Sequence, residues 1–186
     1  MELKIEGDAE RRRRSIRLKH RDYTLPDVYF VTVCAHERRC IFGRVVDACV
    51  EPTGLGQVAH ECWVAIPQHF PQVALHEFVV MPNHIHGLIA IMPSPLVGAQ
   101  HGCALPRGAT SNGVTPGSLG AIVRSFKAIV ARRAHKELSW SGPIWQRNYF
   151  ERVLRDGQEF ANASRYVAEN PKKWEWDREN PQFKPH

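Results

Sequence analysis

An α+β fold built on a split β-α-β-β-α-β motif is predicted by three observations on this 186-residue chain. Runs rich in β-branched and aromatic residues at Tyr29–Cys34, Val73–Val80, His84–Ile91 and Ile144–Leu154 read as four strands. Amphipathic stretches fall between the first and second strands and between the third and fourth. A further helix follows the last strand. In this motif the sheet is antiparallel, the helices cover one face, and the first and third strands lie in the middle.

Each element has its own signal. The first helix spans Thr53–Ile66, with Leu55, Val58, Ala59, Cys62, Trp63 and Ile66 on one stripe; Pro67 and Pro71 are expected to end it. Cys40–Glu51 is ambiguous and compatible with a short hairpin. Ser118 is a candidate N-cap for a second helix whose apolar face holds Leu119, Ile122, Val123, Phe126 and Val130. Asp156 and Glu159 have the spacing of a capping box, and the helix they open runs to Asn170, where Pro171 is expected to stop it. The tail after Lys173 reads as irregular structure.

These elements make one domain over residues 23–174. Residues 93–117, rich in Pro, Gly, Ser and Ala and without periodicity, read as a flexible loop insertion. Residues 1–22 form a basic arm and residues 175–186 a tail. There is no internal repeat.

Composition narrows the classes of function. Apolar content of 43% is ordinary for a globular domain, and no apolar run reaches the ~20 residues of a membrane span. The charged N-terminus lacks the apolar core of a signal peptide, so a cytoplasmic protein is expected. The five cysteines include no Cys-x-x-Cys pair and read as reduced thiols. A net charge of +6 favours a polyanionic partner. Arg11, Arg12, Arg13 and Arg14 could contact phosphates, as could Arg124, Lys127, Arg132 and Arg133 on the second helix, and Arg147.

The chemistry concentrates around His84-Ile85-His86. Alternate residues of a strand share a face about 6–7 Å apart, so the two imidazoles stand side by side and can chelate one cation. On the last helix, Tyr166 and Asn170 are four residues apart and share a face. If that helix docks over the sheet, His84, His86 and Asn170 offer two nitrogens and one oxygen to a divalent metal. Mn²⁺ suits that set well, and Mg²⁺ is the abundant alternative. Tyr166 is then the candidate nucleophile toward a phosphodiester polarised by the metal. Tyr149, inside the fourth strand, reads as structural.

Three segments in this order, MPNHIHG (81–87), IWQRNYFERVLRD (144–156) and YVAENPKKW (166–174), resemble the single-tyrosine HUH transposase superfamily. The resemblance is strongest to its REP-associated tyrosine transposases and extends from about Arg14 to Trp174. It implies a ferredoxin-like fold and an enzyme that cuts and rejoins single-stranded DNA beside imperfect hairpins, using a divalent metal and a 5′-phosphotyrosine intermediate. By the same resemblance His84 and His86 match the metal-binding pair, Tyr166 the catalytic tyrosine and Asn170 the third, polar metal ligand. The expected partner is a single-stranded DNA hairpin, and the expected location the nucleoid. Monomer and homodimer both remain open, as does whether the catalytic helix serves its own subunit.

Two other classes fit the residues less well. A hairpin-binding protein without catalysis would use the same sheet but has no need for a His pair with Tyr and Asn. A cupin-like metal site usually adds a glutamate four residues after the second histidine, where this chain has Ala90.

Overall fold

The computed structural model describes residues 26–93, 115–177, 179–181 and 183. Strand β1 (Asp27–Cys34) leads through a short 3-10 turn to a hairpin of β2 (Gly43–Val46) and β3 (Cys49–Pro52). Helices α1 (Gly54–Val64) and α2 (Ile66–His69) follow, then strands β4 (Val73–Val80) and β5 (His84–Ile91). Helix α3 (Leu119–Leu138), strand β6 (Phe150–Leu154) and helix α4 (Gly157–Glu169) complete the order, with a 3-10 helix over Asn170–Trp176. The main sheet runs β4-β5-β1-β6 with every pairing antiparallel. The first and third of its strands, β1 and β5, are central, as the split motif requires. The basic arm with Arg11–Arg14 and the loop over residues 94–114 lie outside the described residues.

Strand β5 is buried along its whole length because both faces are covered. Its odd-numbered residues face a layer of α1 and α3, where Trp63, fully buried, meets Phe126 edge-on at 5.1 Å and stacks on Phe78 at 5.9 Å. Tyr29, Val31 and Val33 of β1 join Ile85 and Ile89 in that core. The even-numbered residues face α4, which packs against β4, β5 and β6. Phe160 of α4 meets His76 at 5.0 Å, and the Ser164 hydroxyl donates to Glu77 at 2.9 Å. Helix α4 is therefore docked over the sheet face that carries His84 and His86.

The caps follow the sequence. Thr53 Oγ1 accepts from Gly56 N at 3.1 Å while donating to Ile41 O at 2.7 Å, tying α1 to the chain before the hairpin. Ser118 accepts from Ala121 N at 3.3 Å. Asp156 accepts from Glu159 N at 2.8 Å, but the Glu159 carboxylate reaches back past the cap to Arg155 N at 3.0 Å.

Three boundaries differ from expectation. The fourth strand begins at Phe150, not Ile144: Asn148 adopts a positive φ of 67°, which breaks the extended path. Before that break, Trp145 bridges Ala35 and its indole donates to Lys127 O at 3.1 Å. Helix α1 ends at Val64, and Pro67 sits in the first turn of α2, where a missing N–H costs nothing. Pro171 likewise occupies the first turn of the 3-10 helix, so the chain coils on to Trp176 where irregular structure was expected.

Gly87, next to His86, is fixed by this packing. A Cβ there would lie 2.3 Å from Trp63 Cζ2 and 3.0 Å from Phe78 Cβ. Trp63 is itself fully buried. Gly87→Ala is expected to destabilise the fold by about 1–3 kcal/mol through overpacking, read as a lower melting temperature in calorimetry.

Candidate active site

The strand register assembles the site. Thr32 of β1 stands directly opposite His86, and Cys34 opposite His84. Cross-strand partners share a face, so Thr32 Oγ1 reaches His86 Nδ1 at 2.8 Å. The His84 and His86 rings stand 4.3 Å apart, centroid to centroid.

Asn83, in the turn before β5 and 1% exposed, orients the other histidine. Its amide nitrogen donates to the carbonyl oxygens of Arg38 and Glu179, at 3.1 and 2.5 Å. The amide oxygen is thereby fixed as the acceptor facing His84 Nδ1, at 2.8 Å. His84 Nδ1 must carry its proton, which leaves Nε2 as a buried lone pair with no hydrogen-bond partner. A ring nitrogen held by a neighbour, with the other nitrogen bare, is the usual preparation of a metal-binding histidine.

Both imidazoles are uncharged at neutral pH. Burial pushes His86 down to about 3. Burial lowers His84 well below its ordinary value, helped by His86 and the Arg38 guanidinium. Neutral imidazole is the ligating form.

Tyr166 and Asn170 come from the other side. Tyr166 Oη lies 3.5 Å from His86 Nε2, at the outer limit of a hydrogen bond. The Tyr166 ring is positioned by Phe30, edge-on at 5.9 Å, and by His86 at 5.3 Å. Burial raises the phenol above its ordinary pKa, the charge of Asp177 adds to this, and the Asn170 amide opposes both. Asn170 is 2% exposed, and its Oδ1 has no hydrogen-bond partner. One cavity of about 1120 Å³ is lined by His86, Tyr166, Asn170, Asp177, Phe30 and Thr32.

This donor set fits a divalent cation. Two buried polar atoms, His84 Nε2 and Asn170 Oδ1, lack partners, and such atoms are costly unless something completes them. Among the described residues no cluster of three His, Cys, Asp or Glu side chains could hold a metal, so any cation here depends on the amide oxygen.

The basic residues read from the sequence divide. Arg147 is exposed on the cavity wall. Lys127 instead donates to the carbonyls of Gln146 and Asn148, holding that wall in place. Arg133 joins α3 to α1 through Glu61 and pairs with Glu137 of its own helix, each at 2.7 Å. Arg124 and Arg132 are exposed on α3, which pairs with α1 in the layer on the other side of the sheet. Tyr149 packs against the apolar core. Sequence reasoning missed Thr32, Asn83 and Asp177. For Asn83 the signal was an amide directly before the first histidine; Thr32 required the register.

No family model matches the chain. A protein of Haemophilus influenzae, described only as uncharacterized, is 40% identical over 174 residues, covering 89% of this chain and 91% of its own. Among solved structures, a REP-associated tyrosine transposase bound to a REP hairpin superimposes with a TM-score of 0.57 at 16% identity, over 87% of this chain and 77% of that one. A putative transposase from Deinococcus radiodurans gives a TM-score of 0.39 at 19% identity, over 82% and 96%. The chain belongs to the same family as the Haemophilus influenzae protein, and the resemblance carried by its three motifs is met in three dimensions by the fold of a REP-associated tyrosine transposase.

Proposed function

We propose that this protein is a metal-dependent single-stranded DNA endonuclease and strand transferase of the single-tyrosine HUH type, acting at REP-like hairpins. The observation that carries the reading is Tyr166 Oη, 3.5 Å from His86 Nε2 and in one cavity with the unpartnered Asn170 Oδ1. The three motifs and the shared fold support it. The protein works on nucleoid DNA in the cytoplasm, as a monomer or homodimer; no helix among the described residues is long and apolar enough to cross a membrane.

His84 Nε2, His86 Nε2 and Asn170 Oδ1 would hold Mg²⁺ or Mn²⁺. Such a cation supplies Lewis-acid polarisation of a non-bridging phosphate oxygen. Tyr166 Oη attacks phosphorus, the bond to the 3′-oxygen breaks, and the phenolic proton is passed to the departing 3′-oxygen, which leaves as a free 3′-hydroxyl. The product is a 5′-phosphotyrosine ester. Attack by a 3′-hydroxyl on that ester reverses the step, so strands rejoin without an external energy source. Phe30 and His86 hold the phenol at the cavity wall, so little reorientation precedes attack.

Incubation with 5′- and 3′-labelled single-stranded hairpins from the host's own repeats, with Mn²⁺, Mg²⁺ or EDTA, tests the proposal on denaturing gels. A metal-dependent covalent protein–DNA band is expected. Tight binding across the pool with no adduct would replace the enzyme reading with that of a hairpin-binding protein.

The anchoring of His86 gives a quantitative expectation. Thr32→Val keeps the shape but leaves His86 Nδ1 without its partner. Mn²⁺ affinity should fall about 10–100-fold by titration calorimetry, with the melting temperature of the metal-free protein changing far less.

A further inference from the structure

Trp176 is 70% exposed and Phe150 43% exposed. These rings are not scattered over the surface. Both line the cavity that holds Tyr166, Trp176 from the 3-10 helix after α4 and Phe150 from the start of β6. Phe150 pairs with Thr32, so it projects from the sheet face that carries His86. Exposed rings gathered on one cavity offer flat faces that a planar ligand would bury.

The charges around these rings select the ligand. Lys173 and Arg38, also on the cavity, are paired with Glu169 and Glu179. Arg147, on the same wall, has no acidic partner among the described residues and remains available to an anion. Aromatic faces beside an available guanidinium match a chain that alternates flat bases with phosphates. A duplex offers its grooves and phosphates, with base faces stacked inside. Only unpaired nucleotides present both groups at once.

We propose that Trp176 and Phe150 form a stacking platform for unpaired bases flanking the phosphate presented to Tyr166, with Arg147 contacting the backbone beside them. This rests on the proposed nuclease reading for its substrate, yet it is tested without cleavage. The platform makes the enzyme choose single strands over duplex next to the cut, independently of any hairpin recognition elsewhere.

The test uses the full chain carrying Tyr166→Phe, in EDTA, so that no chemistry intervenes. The probe is a twelve-nucleotide oligo(dT) with one central 2-aminopurine, compared with an unlabelled duplex of the same length. Oligo(dT) is suitable because stacking tolerates sequence. Binding should alter 2-aminopurine emission, and the single strand should bind at least about tenfold more tightly than duplex. Adding Trp176→Ala should abolish the emission change and cost about tenfold or more in single-strand affinity, with duplex affinity unchanged. Trp176→Phe should restore much of both, which a merely structural role for the indole would not predict. Phe150→Ala should act in the same direction, and Arg147→Gln should reduce the salt dependence by about one phosphate contact.

Equal affinity for strand and duplex, or a Trp176→Ala protein that binds and responds like its parent, would overturn the platform. Failure of the nuclease reading looks different: strand binding and the emission change persist, while the Tyr166 protein forms no adduct with any hairpin.

Discussion

Tyr166→Phe is expected to abolish the covalent protein–DNA adduct and to lower hairpin cleavage by at least about a thousandfold, with hairpin affinity unchanged. The substitution removes one oxygen. Phenylalanine keeps the ring that Phe30 and His86 grip at 5.9 and 5.3 Å, so the helix stays seated on the sheet. The lost contact to His86 Nε2 is long, at 3.5 Å, and its removal costs little stability. Activity and structure therefore separate in this variant. Tyr149 supplies the control: it packs against the core, and Tyr149→Phe should still form the adduct. An adduct that survives Tyr166→Phe and disappears in Tyr149→Phe would move the nucleophile to the other tyrosine.

The elements that build the site were legible because their signals are periodic. Alternation puts His84 and His86 on one face of a strand, and helical spacing puts Tyr166 and Asn170 on one face of a helix. Strand order followed from the sequence of elements, since the split motif leaves few ways to close an antiparallel sheet. What local patterns could not reveal is pairing between distant segments. That Thr32 meets His86 depends on a register between residues 54 positions apart. The fate of basic residues has the same character. Arg133 and Lys127 share a basic helix, yet Arg133 finds Glu61 of α1 and Lys127 finds two backbone carbonyls of the 146–148 segment. The two prolines misled for a different reason. Pro67 and Pro171 look like stops in the sequence, but a proline in the first turn starts a helix as readily as it ends the previous one. The coil after Pro171 carries Trp174 to 6.1 Å from His84 and brings Trp176 and Asp177 to the cavity, so the boundary error hid part of the site.

Removal of either histidine is expected to match removal of the metal. His86→Ala should lower Mn²⁺ affinity by more than about a hundredfold, because losing a ligand exceeds the effect of losing its anchor. Cleavage should fall at least about a thousandfold, equivalent to about 4 kcal/mol of lost transition-state stabilisation. Hairpin binding in EDTA should persist, since the basic and aromatic surface is untouched. His84→Ala should lose metal and cleavage equally, at a structural cost. His84 is fully buried, and its removal leaves a void and strips Asn83 Oδ1 of its donor. A lowered melting temperature is therefore part of the expectation for both variants, since His86 is likewise buried and bonded to Thr32. The pair also separates two roles that a nuclease assay alone would merge. If the histidines served only to hold Tyr166, their loss would misplace the phenol without changing Mn²⁺ titration. Full Mn²⁺ affinity in both variants, with cleavage lost, would assign them to positioning and send the search for the cation elsewhere in the cavity. Loss of both together ties the metal to the two ring nitrogens left facing the site when Asn83 and Thr32 engage the Nδ1 atoms.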